Sequence, residues 1–262
     1  MSQLSKRTLT AVFGIIALYF VLTRGGIILR SAIFILSIIG VFELKNAFKN
    51  IGINLIMPSI ILPTILLFLL RISDMYFKEI NLNYSASIFL SLIIAFIFVF
   101  REKNTSQDAI YSIFSFFYLP FIFNLINDLE GTYYIYLVFV IAFATDTFAY
   151  VVGVTMGRHK LIERVSPNKS VEGAIGGLLG SLLSSLALFT FLGISFNVYM
   201  ILFLILASIV SQIGDLIASK IKRDCKIKDY GKIFPGHGGV LDRFDSILVV
   251  IFMVHILFSI VK

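Results

Sequence analysis

The stretch FPGHGGVLDRFDSILVVIFMVHILFSI, Phe234–Ile260, joins two kinds of sequence that seldom meet. Its first half carries glycines, a proline, a histidine, an arginine and the aspartates Asp242 and Asp245. Its second half is almost pure hydrocarbon. A run of that kind suits lipid, because a membrane-crossing helix needs about 17–25 mainly apolar residues. Eight further runs of similar character lie near 9–23, 27–43, 52–71, 84–100, 111–127, 133–153, 173–195 and 197–218. The composition agrees. Of the 262 residues 58% are hydrophobic and 14% charged, against about 45–50% and 25% in ordinary soluble domains. A core of this size needs no such excess, so the outer surface must be apolar too. The expected fold is all-α, a polytopic integral membrane protein with about nine transmembrane helices.

Nine spans place the termini on opposite sides, and the loop charges choose between the two orientations. One assignment gives 17 of the 22 basic residues to one side and leaves Arg24, Arg30, Arg71, Lys78 and Lys262 on the other. The positive-inside rule then puts the N-terminus in the cytoplasm, as in a multi-pass protein of a bacterial-type inner membrane. The basic, apolar N-terminus lacks a small-x-small cleavage site and reads as a retained first helix. The net charge of +7 fits this topology and anionic headgroups. No nucleic-acid motif is present, so no nucleic-acid partner is expected. The single Cys225, among lysines, suits a reducing, cytosol-facing loop and an incidental role. The chain is expected to form one membrane domain, 1–262. Helices in 1–132 serve as scaffold and as dimer contacts. Catalytic helices fill 133–262, with cytoplasmic loops 153–173 and 219–245.

The chemistry is marked by acids, because an aspartate at a helix centre costs about 2.5–3.5 kcal/mol on insertion. Asp146 lies in VFVIAFATDTFAYVVG and Asp215 in ILASIVSQIGDLIAS. Both should face a bundle interior or a wet cavity. Ser219 and Lys222 follow Asp215 at helical spacing, with Arg223 beside them. One helix face thus carries a carboxylate, a hydroxyl and two cations towards the membrane edge. Asp242 and Asp245, three apart, share the first turn of the last helix, whose N-terminus favours negative charge. An N-cap would explain one of them, not both. Before them, Gly238 and Gly239 let backbone N–H groups approach an anion. Asp215, Asp242 and Asp245 offer hard oxygen ligands, so the expected metal is Mg2+, with Mn2+ as its substitute. His237 either binds a phosphate or stabilises the turn. The loop GRHKLIERVSPNKSVEGAIGG, Gly157–Gly177, reads as a turn at Ser166–Ser170 and a helix start at Ser170–Gly173. Lys169 there is a candidate for either substrate.

The run SKIKRDCKIKDYGKIFPGHGGVLDRFD, Ser219–Asp245, resembles the signature of the phosphatidate cytidylyltransferases (CDP-diacylglycerol synthases). Ser219, Lys222, Arg223, Lys228, Asp229, Gly231, Pro235, His237, Gly238, Gly239, Asp242, Arg243 and Asp245 fill that pattern without a gap. SPNKSVEG, with Lys169 and Glu172, is similar to a second family motif, and Asp146 with Tyr150 and Gly153 to a third. The strong part of the likeness covers the C-terminal 45% or so of the chain. It implies conversion of CTP and phosphatidic acid to CDP-diacylglycerol and pyrophosphate with Mg2+, in a membrane homodimer. It also implies a second, monovalent cation (K+) near the metal. By this resemblance Ser219, Lys222, Arg223, Lys228, Asp229, His237 and Arg243 are catalytic. Lys169, Glu172, Gly238, Gly239 and Asp146 bind substrate, and the three aspartates hold metal. A related CTP-dependent enzyme acting on an archaeal ether lipid or a polyprenol is the nearest alternative. An ion-coupled transporter would show repeat symmetry and midplane helix breaks. A CDP-alcohol phosphotransferase would carry Asp-Gly-x-x-Ala-Arg, which is absent.

Overall fold

A computed structural model describes residues 3–76, 84–234 and 238–261. Among the described residues the helical runs are α1 Gln3–Arg24, α2 Gly26–Lys49, α3 Pro58–Tyr76, α4 Ser85–Val99, α5 Ser106–Leu129, α6 Tyr134–Met156, α7 Val171–Phe191, α8 Val198–Asp224 and α9 Leu241–Val261. Seven are long and apolar enough to cross a bilayer; α4 and the apolar part of α1, Val12–Arg24, are shorter. Each apolar run expected from the sequence corresponds to one of these helices. The chain is an all-α, multi-pass membrane protein.

The boundaries moved where proline and glycine act. The third run, expected from about residue 52, becomes helical only at Pro58. Proline suits the first helical position and disfavours helix in the residue before it. In α5, Pro120 lies in a π turn, Phe117–Phe121, because it has no N–H to continue the regular ladder. Gly193, at φ +66°, follows the end of α7. Ser166–Ser170, expected as a turn, is instead a strand, β2. It pairs antiparallel with β1, Lys160–Ile162. Pro167 holds itself and Ser166 in extended backbone, and the Lys160 ammonium donates to the Pro167 carbonyl at 2.5 Å.

The chain divides into two compact units. Residues 1–130 and 224–243 form the first; residues 131–223 and 244–262 form the second. In the first unit two arginines inside apolar helices are matched by acids. Arg30 pairs with Glu130 at 2.9 Å and Arg71 with Asp128 at 2.7 Å. Such pairing makes charge tolerable beside apolar helices. Residues 224–243 belong to this unit through Glu43 of α2, described below.

The second unit is a bundle of α6, α7, α8 and α9, brought together by small residues. A Cβ on Gly173 would lie 2.7 Å from the Ala149 carbonyl oxygen, and one on Gly177 2.8 Å from that of Thr145. Glycines four apart let the α6 and α7 backbones touch, as small-xxx-small patterns do in membranes. Thr145 Oγ1 meets Ser208 Oγ at 3.0 Å, tying α6 to α8, and Gln212 Nε2 donates to the Ala174 carbonyl at 3.1 Å. Gly214 brings α8 against α9, since a Cβ there would meet the Asp245 carbonyl oxygen at 3.1 Å. The obstacles at Gly177 are the Thr145 carbonyl oxygen and the Ala149 Cβ, neither of which can rotate away. Gly177→Ala is therefore expected to cost about 1–3 kcal/mol. Thermal unfolding in detergent should show a lower midpoint, and an unchanged midpoint would refute this packing.

Candidate active site

In the second unit the site grows from the start of α9. Asp245 is 7% exposed and Ser246 1%. The Ser246 N–H donates to Asp245 Oδ1 at 2.9 Å, and Ser246 Oγ donates to Asp146 Oδ2 at 3.0 Å. One serine thus orients two aspartates on different helices. Asp245 also lies in the field of Asp215, Lys222 and Asp146. Lys169, near the end of β2, reaches Asp215 as an ion pair. Ser219 Oγ stands 3.5 Å from Asp215 Oδ1, one helical turn on, at the outer limit of a hydrogen bond. Local geometry explains these positions: α8 stays helical to Asp224, so Asp215, Ser219 and Lys222 share the expected face. Arg223 is exposed beyond them.

Glu172 occupies the first turn of α7, which Ser170 caps through the Gly173 N–H at 3.1 Å. Its carboxylate accepts the Arg158 and His159 N–H groups at 3.0 and 3.2 Å and lies 2.6 Å from His159 Nδ1. It holds the hairpin that carries Lys169.

In the first unit the chain from Asp224 to Arg243 makes its own constellation. Asp242 Oδ2 accepts the N–H groups of Tyr230 and Gly239 at 2.8 and 2.9 Å. The carboxylate therefore turns back over the loop. Glu43 takes the donors that open the helix. It is 5% exposed and accepts from Val240 N–H through Oε1 and Leu241 N–H through Oε2, both at 2.9 Å. These donors, at the start of α9, have no partner within the helix, and a negative charge is favoured beside them. A Cβ on Gly239 or Gly231 would collide with the Glu43 carboxylate. Those two glycines are thus explained by Glu43. Gly238, at φ +87°, needs glycine for its backbone. Lys228, Asp229 and Arg243 are exposed. His237 lies outside the described residues. Cys225 is 1% exposed, and burial, helped by the Asp224 charge, pushes its thiol above the usual range. Both effects disfavour the thiolate, which is the reactive form.

Sequence reasoning missed Glu43 and Ser246. Glu43 had a signal: it is the one acid in GIILRSAIFILSIIGVFELKNAFK, where lipid penalises it as it does Asp146. Ser246 had none, because serine is common inside membrane helices.

Among the described residues no three His, Cys, Asp or Glu side chains gather as a protein-only metal cage. The donors that do approach each other, Asp215 and Asp245, are hard oxygens. Mg2+ typically takes one or two carboxylates and completes its shell with water and substrate phosphates. A sparse carboxylate set with neighbouring cations suits that ion bound together with a polyphosphate.

The profile of the "Cytidylyltransferase family" matches residues 5–261. A "Phosphatidate cytidylyltransferase" of Staphylococcus saprophyticus is 37% identical over 257 residues, covering 96% of this chain and 97% of its own. Proteins of the same name from Staphylococcus epidermidis and Staphylococcus aureus are 35% identical with the same coverage.

Proposed function

Because the chain belongs to the cytidylyltransferase family, we propose that it makes CDP-diacylglycerol and pyrophosphate from CTP and phosphatidic acid at the cytoplasmic face of the membrane. The observation that carries the reading is Asp245: a buried carboxylate, in the field of two more aspartates and a lysine, at the start of an apolar helix. Burying such a group is costly, and a bound cation with a polyanion would offset that cost.

The nucleophile is a phosphate-monoester oxygen of the lipid. Its second pKa is about 6, so it is already largely ionised at neutral pH and needs no strong base. It attacks the α-phosphorus of CTP, the bond to the β-phosphate oxygen breaks, and pyrophosphate leaves with that electron pair. Repulsion between two polyanions is the main obstacle, so the protein contributes position and charge. Lys222, Arg223 and Arg243 meet phosphate oxygens, with Ser219, Lys228, Asp229 and His237 supporting them. Lys169 exchanges its Asp215 partner for a substrate phosphate. The glycine loop at Gly238 and Gly239 offers backbone N–H groups, Glu172 holds the hairpin, and Asp146 contacts substrate. Asp215, Asp242 and Asp245 would hold Mg2+, which supplies charge neutralisation on the triphosphate when bound. A monovalent cation beside it and a homodimeric assembly complete the reading. The excess of basic residues in the even-numbered loops supports a cytoplasmic N-terminus and site.

Purified protein in detergent, given phosphatidic acid, radiolabelled CTP and Mg2+, is expected to form lipid-linked CMP and to stop when the divalent ion is chelated. No labelled lipid under conditions that support a known enzyme of this kind would overturn the reading. Activity that survives chelation would remove the metal from it.

A further inference from the structure

Glu43 belongs to α2, far in sequence from every residue assigned above, yet its carboxylate takes two N–H groups that open α9. Asp242 takes two more, from Tyr230 and Gly239. Three consecutive donors, Gly239 to Leu241, and a fourth from Tyr230 are thus divided between two acids. Gly231 and Gly239 are the surfaces on which the Glu43 carboxylate rests. Nothing else among the described residues of α2 explains a nearly buried acid at this point, for the arginine of that helix, Arg30, is paired with Glu130.

We propose that Glu43 is a positioning residue for nucleotide transfer: by binding the Val240 and Leu241 N–H groups it sets the glycine loop and Asp242 for the phosphates of CTP. This rests on the function proposed above. A carboxylate suits the role because it accepts through both oxygens at once. An amide of the same shape presents one acceptor and one donor, so one of the two N–H groups would face another donor. The loop should then loosen without any loss of side-chain volume.

Cys225 provides a reading of that loosening that is independent of turnover. It is the only cysteine in the chain, it is buried, and it lies in the segment that Glu43 tethers. Glu43→Gln and Glu43→Ala would be purified in detergent beside the wild type. CTP and phosphatidic acid would be varied separately, and Cys225 would be labelled with a maleimide under native conditions. Expected for Glu43→Gln is a rise of about 10- to 100-fold in KM for CTP, the usual range for partners that orient binding groups. The lipid KM should stay near the wild-type value, and labelling should be faster at an unchanged melting temperature. Glu43→Ala should show the same pattern more strongly; if it does not fold, Glu43→Gln decides alone. An unchanged KM for CTP with Cys225 still protected would overturn the proposal. So would a fall in stability that affects both substrates alike. If the wild type itself makes no labelled lipid, the proposed function fails, and Cys225 labelling alone then decides whether Glu43 holds the loop.

Discussion

Asp242→Asn is expected to insert and fold like the wild type and to transfer cytidylyl groups about 100- to 1,000-fold more slowly, the range for losing one preorganised electrostatic partner. The geometry separates charge from shape here. Asp242 Oδ2 accepts from Tyr230 and Gly239, and an asparagine carbonyl oxygen can accept the same two N–H groups. The loop keeps its form while the carboxylate charge disappears. Lipid-linked CMP formation measures the rate, and the elution profile in detergent checks the fold. Wild-type turnover in this variant would remove Asp242 from the metal set.

Asp245→Asn should lose activity to a similar extent for a different balance of forces. Asp245 is buried beside Asp215 and Asp146, with Lys222 as the compensating charge. Its bond from the Ser246 N–H survives in the amide. Without a divalent ion the neutral side chain relieves repulsion between acids, so the fold should become more stable. A gain of about 1 kcal/mol would raise the melting temperature by about 2–4 °C in a chain of this size. The wild type should recover the difference when Mg2+ and CTP are added, since ligands that bind only the folded state stabilise it. The variant should respond weakly. A lower melting temperature in Asp245→Asn would mean that the carboxylate serves packing, and the metal assignment would fail with it. Stability exchanged for function is the expected signature of acids kept for chemistry.

Legibility followed the range of the forces. The apolar helices could be read because lipid rewards every apolar residue in a run of fixed length, whatever surrounds it. The Asp215–Ser219–Lys222 face could be read because α-helical spacing is a local property. The spacing of Asp242 and Asp245 was equally plain, yet the use of Asp242 was not. The helix rule accounted for only one acid of the pair as a cap, and it was folding that turned the Asp242 carboxylate back to Tyr230 and Gly239. The segment Ser166–Ser170 read as a turn from its composition, while pairing with Lys160–Ile162 made it a strand.

Residue order alone therefore established a helical membrane protein, its family signature and the acids that lipid penalises, since each depends on solvent or on neighbours a few positions away. Which acid serves which donor depended on folding. Glu43 and Val240, just before the helix it opens, are separated by 197 positions. A hydrogen bond across that distance leaves no periodic trace in the chain, and only close packing of the helices brings its two halves together.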